Sequence, residues 1–186
     1  MTVIYGYCGD EDTRVLSNIW KHYNNAKVLN AFESTYNEIK EAVSNESDVL
    51  ILCGHGSGNG LFGTSPFDME SGCFAIDANM VPFIKAEYVI GVWCHAKDFA
   101  KKYHVRGFFT SMYISNRSEA LLNLHEEVTI SNVEIIKSET KFCDTLNYLI
   151  ATELYNIKNW PKRILEIIPP TNQVEIFNHN ALEYIN

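Results

Sequence analysis

Two residues with reactive side chains, His55 and Cys94, each follow a run of apolar residues. The stretch DVLILCGHGSGNGLFG begins at Asp48 and passes from apolar residues into His55, and AEYVIGVWCHA begins at Ala86 and leads into Cys94. A thiol attacks an acyl carbon as the thiolate, and a nearby imidazole supplies that state or takes the proton. The two residue types therefore indicate nucleophilic catalysis, provided that the fold brings them together.

The elements around these residues alternate between strand-like and helix-like patterns. Candidate strands are TVIYGYC, AKVLNAF, DVLILCG, EYVIGVWC and VRGFFTSMYIS. Most of the segments between them, such as EDTRVLSNIWKHY, place apolar residues at helical spacing. The glycine-rich stretch after His55 instead predicts a small hairpin around Leu61–Phe62 and Cys73–Ile76. This alternation predicts a three-layer α/β/α sandwich with a mostly parallel sheet of about five or six strands.

Parallel strands give the two reactive residues a common location. Ligands of such sheets bind beyond the carboxyl ends of the strands, and His55 and Cys94 both lie just past predicted strand ends. The backbone N–H groups of Gly56 and Cys94 are candidate oxyanion donors. Glycine at position 56 would let a substrate carbonyl approach the main chain without interference from a Cβ atom.

Composition restricts the class of protein. A chain of 186 residues predicts one domain, and its net charge of −8 argues against nucleic acid as the main partner. Five cysteines at irregular spacing do not form a disulfide framework, and no CxxC pair indicates zinc. We expect a cytoplasmic protein because the N-terminus lacks a signal-peptide pattern and no apolar run approaches the ~20 residues of a membrane span. The catalysis proposed above needs no metal or organic cofactor.

The last third of the chain is predicted to be a helical and irregular extension. Helical periodicity runs through NVEIIKSETKFCDTLNYLIATELYNI, and the three prolines of the following segment exclude a single long element there. No repeat or linker indicates a second domain. We therefore interpret residues 1–186 as a single domain in which residues 126–186 pack on the preceding part.

The apolar strand that ends in His-Gly and the later apolar strand that ends in Cys resemble the caspase-like cysteine peptidases (clan CD). This clan includes caspases, metacaspases, gingipains, clostripain-like enzymes, separases and CHAT-domain proteins. The matching residues are VLILCGHG and YVIGVWC, and the resemblance covers about residues 1–125. The segment RGFFTSMYISNRSEA is also similar to the strand that follows the cysteine in CHAT-like members. The separation, 94 − 55 = 39 residues, is shorter than the ~50 residues typical of caspases.

The resemblance implies roles for individual residues. His55 would be the general base, Cys94 the nucleophile, and the Gly56 N–H an oxyanion donor. The loop CGDED after the first strand would line the substrate pocket, so that Asp10 or Asp12 pairs with a basic P1 residue of a peptide or protein substrate. Further residues expected at the substrate are Trp93, Ser111 and Tyr113.

Departures from the clan leave alternatives open. This chain has Val-Trp-Cys where caspases have Gln-Ala-Cys, so Asp specificity is not expected, and Val92 stands where metacaspases have Asp. Bulky His95 follows Cys94 where many members have a small residue. The chain could therefore be an inactive, caspase-like binding or regulatory module. A flavodoxin-like small-molecule binder is a third interpretation. The oligomeric state is not predicted.

Overall fold

The central feature of the fold is a six-stranded sheet. A computed structural model describes residues 1–63, 74–124 and 128–186. The strands are β1 (Thr2–Gly6), β2 (Lys27–Asn30), β3 (Val49–Gly54), β4 (Gly56–Ser57), β5 (Gly60–Phe62), β6 (Phe74–Ile76), β7 (Tyr88–Val92), β8 (Gly107–Phe109) and β9 (Glu183–Ile185). The large sheet has the order β2-β1-β3-β7-β8-β9, and β4-β5-β6 form a small separate sheet. All neighbours in the large sheet are parallel except β8 and β9, which are antiparallel.

Seven α-helices accompany the strands in the described part of the chain. They are α1 (Glu11–Arg14), α2 (Tyr36–Asn45), α3 (Ala96–Tyr103), α4 (Arg117–Asn123), α5 (Asn132–Thr152), α6 (Trp160–Ile167) and α7 (Gln173–Asn180). Three 3₁₀ segments cover Val15–Trp20, Val81–Phe83 and Leu154–Asn159. The helices α2 and α5 begin with capping boxes, Thr35 with Glu38 and Ser131 with Glu134, which satisfy backbone donors at their first turns.

Both faces of the large sheet are buried against other elements. Because side chains alternate along a strand, Val3 and Ile51 belong to one core, whereas Ile4 and Leu50 belong to the other. The first core is completed by α5, α6 and the segment Val15–Trp20, and the second by α2 and α3. The α/β class with a mostly parallel sheet is thus confirmed, and the arrangement is compatible with a three-layer sandwich.

The structure departs from the predicted elements at several places. The predicted helix after β1 is a short α1 followed by a 3₁₀ segment, in which the Ser17 hydroxyl donates to the Arg14 carbonyl at 2.9 Å. The predicted fifth strand is limited to β8. The predicted hairpin occurs as β5 paired antiparallel with β6, whereas Cys73 lies outside the described residues.

The last third contributes to the main sheet and the core. Strand β9 forms one edge of the sheet beside β8, and the α5 residues Phe142, Leu146 and Leu149 are buried in the first core. Within the described residues, every helix is too short or too polar to cross a membrane.

Candidate functional site

The predicted reactive residues meet at the carboxyl edge of the large sheet. The pairings Gly6–Gly54 and Cys53–Val92 bring the ends of β1, β3 and β7 level with one another. His55 follows β3 directly, and Cys94 lies between β7 and α3. Both residues line the same two cavities.

We name the two cavities the chamber and the groove. The chamber has a volume of about 30 Å³, and the groove is a wider depression of about 640 Å³. His55, Cys94 and Glu119 line both cavities. The chamber is further lined by Asp12, Thr13, Leu16, Gly54, Val92, Trp93, Thr110, Tyr113, Ser115, Glu139 and Phe142. The groove is further lined by Cys8, Phe32, Gly56, Phe62, His95 and Met112.

His55 is paired with a carboxylate from the loop after β1. Its Nε2 lies 3.5 Å from Oδ2 of Asp10. Asp10 also caps α1 and accepts hydrogen bonds from the Thr13 N–H at 2.7 Å and from the Thr13 hydroxyl at 2.9 and 3.0 Å. Partial burial opposes ionisation of Asp10, but hydrogen bonds from Cys8 and Thr13 and the nearby His55 outweigh it and lower its pKa to about 2. An ionised Asp10 favours a proton on Nε2, which leaves Nδ1 as the basic nitrogen of neutral His55.

Cys94 is a partly buried thiol at a sharp strand-to-helix turn. The residue after it, His95, has left-handed backbone dihedrals (φ 67°, ψ 22°) and pairs through Nδ1 with the Asp98 carboxylate at 2.9 Å. Burial raises the pKa of Cys94, and the negative charges of Glu119 and Asp12 act in the same direction. The resting thiol is therefore protonated, with its Sγ 3.9 Å from the Tyr113 carbonyl oxygen.

Gly56 lies in the short ladder beside the two cavities. The Phe62 N–H donates to the His55 carbonyl at 2.9 Å, so Gly56 and Leu61 form a non-hydrogen-bonded pair that does not use the Gly56 N–H. Trp93 packs against Gly56, and its indole N–H donates to the Ser57 carbonyl at 3.1 Å. The Gly56 N–H is therefore available as a hydrogen-bond donor.

Replacing Gly56 by alanine is expected to disturb this packing. A Cβ atom there would overlap Cδ1 of buried Trp93 and lie 2.7 Å from the Gly60 carbonyl oxygen. We expect Gly56→Ala to lower the free energy of unfolding by about 1–3 kcal/mol, measured by urea denaturation. Gly58→Ala is the matched control, because its Cβ would meet only the Asp98 Cβ at 3.5 Å. Equal stability of the two variants would contradict the contact with Trp93.

Three acidic side chains give the chamber its chemical character. Asp12, Glu119 and Glu139 line it, and none of its described lining residues is Lys or Arg. Asp12 accepts a 2.7 Å hydrogen bond from the Asn116 amide, and Glu119 accepts bonds from the N–H and hydroxyl of Ser115 at 2.8 and 3.0 Å. Within the described ranges, Oε2 of Glu139 has no hydrogen-bond partner.

Glu139 is the least exposed of these acids. It lies on α5 with only 3% of its surface exposed. Burial, followed by the negative charges of Asp12, Glu119 and Asp10, raises its pKa to about 9. The chamber therefore holds a protonated Glu139 at neutral pH.

The proton on Glu139 makes stability depend on pH. Between its ordinary pKa of 4.5 and the folded value of about 9, the folded protein keeps a proton that the unfolded chain releases. The free energy of unfolding should therefore fall as pH rises through this window, by at most about 1.4 kcal/mol per pH unit. Glu139→Gln should remove this slope, which urea denaturation at pH 5, 7 and 9 measures. The variant should therefore become increasingly more stable than the wild type as pH rises. Exposed Glu41→Gln, on α2, should leave the slope unchanged; equal slopes for wild type and Glu139→Gln would contradict the assignment.

The other predicted substrate residues lie in different places. Trp93 and Tyr113 line the chamber, and so does Asp12. Asp10 pairs with His55 and lines neither cavity. Ser111 also lines neither cavity, and its N–H donates to the Ala181 carbonyl at 2.9 Å.

Sequence reasoning missed Glu119 and Glu139. Glu139 had a recognisable signal, because it falls on the apolar stripe of α5 between Ile135 and Phe142. A charged residue on the buried stripe of an amphipathic helix needs a partner or a changed protonation state. Glu119 follows the Asn116 cap by three residues, which is an ordinary helix-start pattern and carried no functional signal.

Comparison of the chain with protein-family models and with curated proteins finds no match.

Proposed function

We propose that this protein is a cysteine endopeptidase of the caspase-like clan that cleaves after a basic P1 residue. Cys94 is the nucleophile, His55 is the general base and acid, and the N–H groups of Gly56 and Cys94 bind the oxyanion. The observation that carries the proposal is that His55 and Cys94 both line the junction of an acidic chamber and an open groove.

The two cavities suit the two parts of a peptide substrate. The groove includes the apolar side chains of Phe32, Phe62 and Met112 and has room for extended chain. The carboxyl groups that line the chamber favour a Lys or Arg side chain. The basic P1 side chain therefore pairs with Asp12, Glu119 and Glu139. The resemblance to the clan implied this role for Asp10 or Asp12.

The chemistry proceeds through an acyl-enzyme. His55 takes the Cys94 proton as the sulfur attacks the scissile carbonyl carbon, and the oxygen becomes a tetrahedral oxyanion. The C–N bond then breaks as His55 gives its proton to the leaving amine. Water adds to the thioester with His55 as base, and the C–S bond breaks to release the carboxylic acid and restore the thiol. Asp10 stabilises the imidazolium formed in each half-reaction.

A peptide mixture with every residue type at P1 tests the proposal, with cleavage products identified by mass spectrometry. The wild type should cleave after Lys and Arg, and Cys94→Ala should cleave nothing. Equal cleavage by the two proteins would refute the role of Cys94. Absence of cleavage by the wild type would refute the peptidase and favour the inactive binding module, for which the protonated Cys94 is a specific argument.

A further inference from the structure

A second cluster of reactive side chains lies at the edge of the groove, on the β1 side of His55. Cys8 and Asp10 belong to the loop between β1 and α1, and the pairing of Gly6 with Gly54 places that loop beside His55. The Cys8 sulfur, an Asp10 carboxylate oxygen and a His55 ring nitrogen all lie within 4.8 Å of one another. Asp10 Oδ2 is 2.6 Å from Cys8 Sγ and 3.5 Å from His55 Nε2.

We propose that Cys8, Asp10 and His55 bind a zinc ion. Thiolate, imidazole and carboxylate together suit this borderline-soft cation, whereas Mg²⁺ and Ca²⁺ prefer oxygen ligands alone. Three protein ligands with water in the fourth position form a common open zinc site. Binding replaces the thiol proton of Cys8, which passes to the buffer.

The geometry needs only a small adjustment to accept the metal. Zn–S bonds of ~2.3 Å and Zn–N or Zn–O bonds of ~2.0–2.2 Å place tetrahedral ligand atoms about 3.3–3.6 Å apart. The distance between His55 and Asp10 already fits this range. Cys8 must move away from Asp10 by about 1 Å. The loop can accommodate this movement, because Cys8 is exposed and the next residue is Gly9, which has a positive φ of 95°.

Two features hold the other two ligands, Asp10 and His55, in position. Thr13 holds the Asp10 carboxylate through its N–H and hydroxyl, which orients a carboxylate oxygen toward the cluster. His55 follows a fully buried strand, so its backbone position is fixed by the sheet. Among the residues that the structure describes, the cluster does not include Cys94, whose sulfur lies next to the Tyr113 carbonyl.

Zinc binding does not require that the protein be a peptidase. If the proposed function is also correct, zinc on His55 Nε2 leaves the single proton of the neutral ring on Nδ1, so no basic nitrogen remains to take the Cys94 proton. The metal would then act as a reversible inhibitor. Failure of the metal site and failure of the peptidase can be distinguished, because metal binding is measured without a substrate.

Cobalt is the probe for the test, because Co²⁺ replaces Zn²⁺ and a thiolate ligand gives an intense near-ultraviolet charge-transfer band. The full chain, stripped of metal by a chelator, should bind one equivalent of Co²⁺ with this band, and one equivalent of Zn²⁺ should abolish the band. Cys8→Ser should lose the band, and Asp10→Asn should weaken Co²⁺ binding at least ~10-fold.

Cys94→Ser is the matched control and should keep the band and the affinity of the wild type. The proposal is overturned if the wild type gives no band or if the band survives in Cys8→Ser. It is also overturned if Cys94→Ser alone loses the band, because the metal would then bind between His55 and Cys94. Circular dichroism confirms that each variant is folded; exposed Cys8 is expected to tolerate serine.

Discussion

His55→Ala should slow the alkylation of Cys94 by iodoacetamide about 100-fold. Burial and the nearby carboxylates raise the pKa of Cys94, so the free thiol offers little thiolate at neutral pH. Rapid alkylation then depends on a neighbouring base that takes the proton as sulfur attacks. Mass spectrometry of tryptic peptides after timed labelling gives the rate at each cysteine.

Three further cysteines, Cys8, Cys53 and Cys143, provide internal references for this experiment. Cys53 and Cys143 are fully buried, and the hydrogen bond to the Asp10 carboxylate raises the pKa of exposed Cys8. In the wild type, Cys94 should react faster than any of them. His22→Ala, which removes an exposed imidazole that lines neither cavity, should leave the Cys94 rate unchanged. A Cys94 rate that is equal in wild type and His55→Ala would exclude His55 as its base.

The buried strands of the fold were predictable because each reads as a continuous apolar run. Strand β3 is buried on both faces along its whole length, and β7 is nearly so, as in other parallel sheets covered by helices. Strand β9 has only three residues, and its partner β8 is far away in the chain, so no local pattern indicated it. The 3₁₀ segment Val15–Trp20 keeps its apolar residues facing the core while losing the α-helical hydrogen-bond pattern, a distinction that apolar spacing does not resolve.

The candidate site was predictable where strand order alone determines position. His55 and Cys94 follow adjacent parallel strands, so their convergence on the same cavities follows from topology. The positions of the acidic residues in the site were not predictable, because they depend on how the helices pack against the sheet. Asp10 and Asp12 are two residues apart, yet Asp10 caps α1 beside His55 and Asp12 lines the chamber. Glu139 reaches the chamber only because α5 packs across the same face.

The second large effect concerns the charge of the P1 side chain. Under the proposed function, Glu139→Gln should lower kcat/KM for a P1 Arg peptide on the order of 10²-fold, because a cation in the chamber loses its buried partner. The same peptide with citrulline at P1 has nearly the same shape without the charge, and its kcat/KM should change little. Exposed Glu41→Gln should affect neither substrate.

The ratio of kcat/KM for the Arg and citrulline peptides should also depend on pH. Glu139 holds a proton below a pKa of about 9, and a P1 cation must displace that proton to pair with the carboxylate. The ratio should therefore rise between pH 7 and 9, by at most about tenfold per pH unit, and should stay constant in Glu139→Gln. Other ionisation changes that affect both peptides equally cancel in the ratio. A wild-type ratio that is independent of pH would mean that Glu139 does not exchange its proton for the substrate cation, and the acidic chamber would have to bind P1 through Asp12 and Glu119 alone.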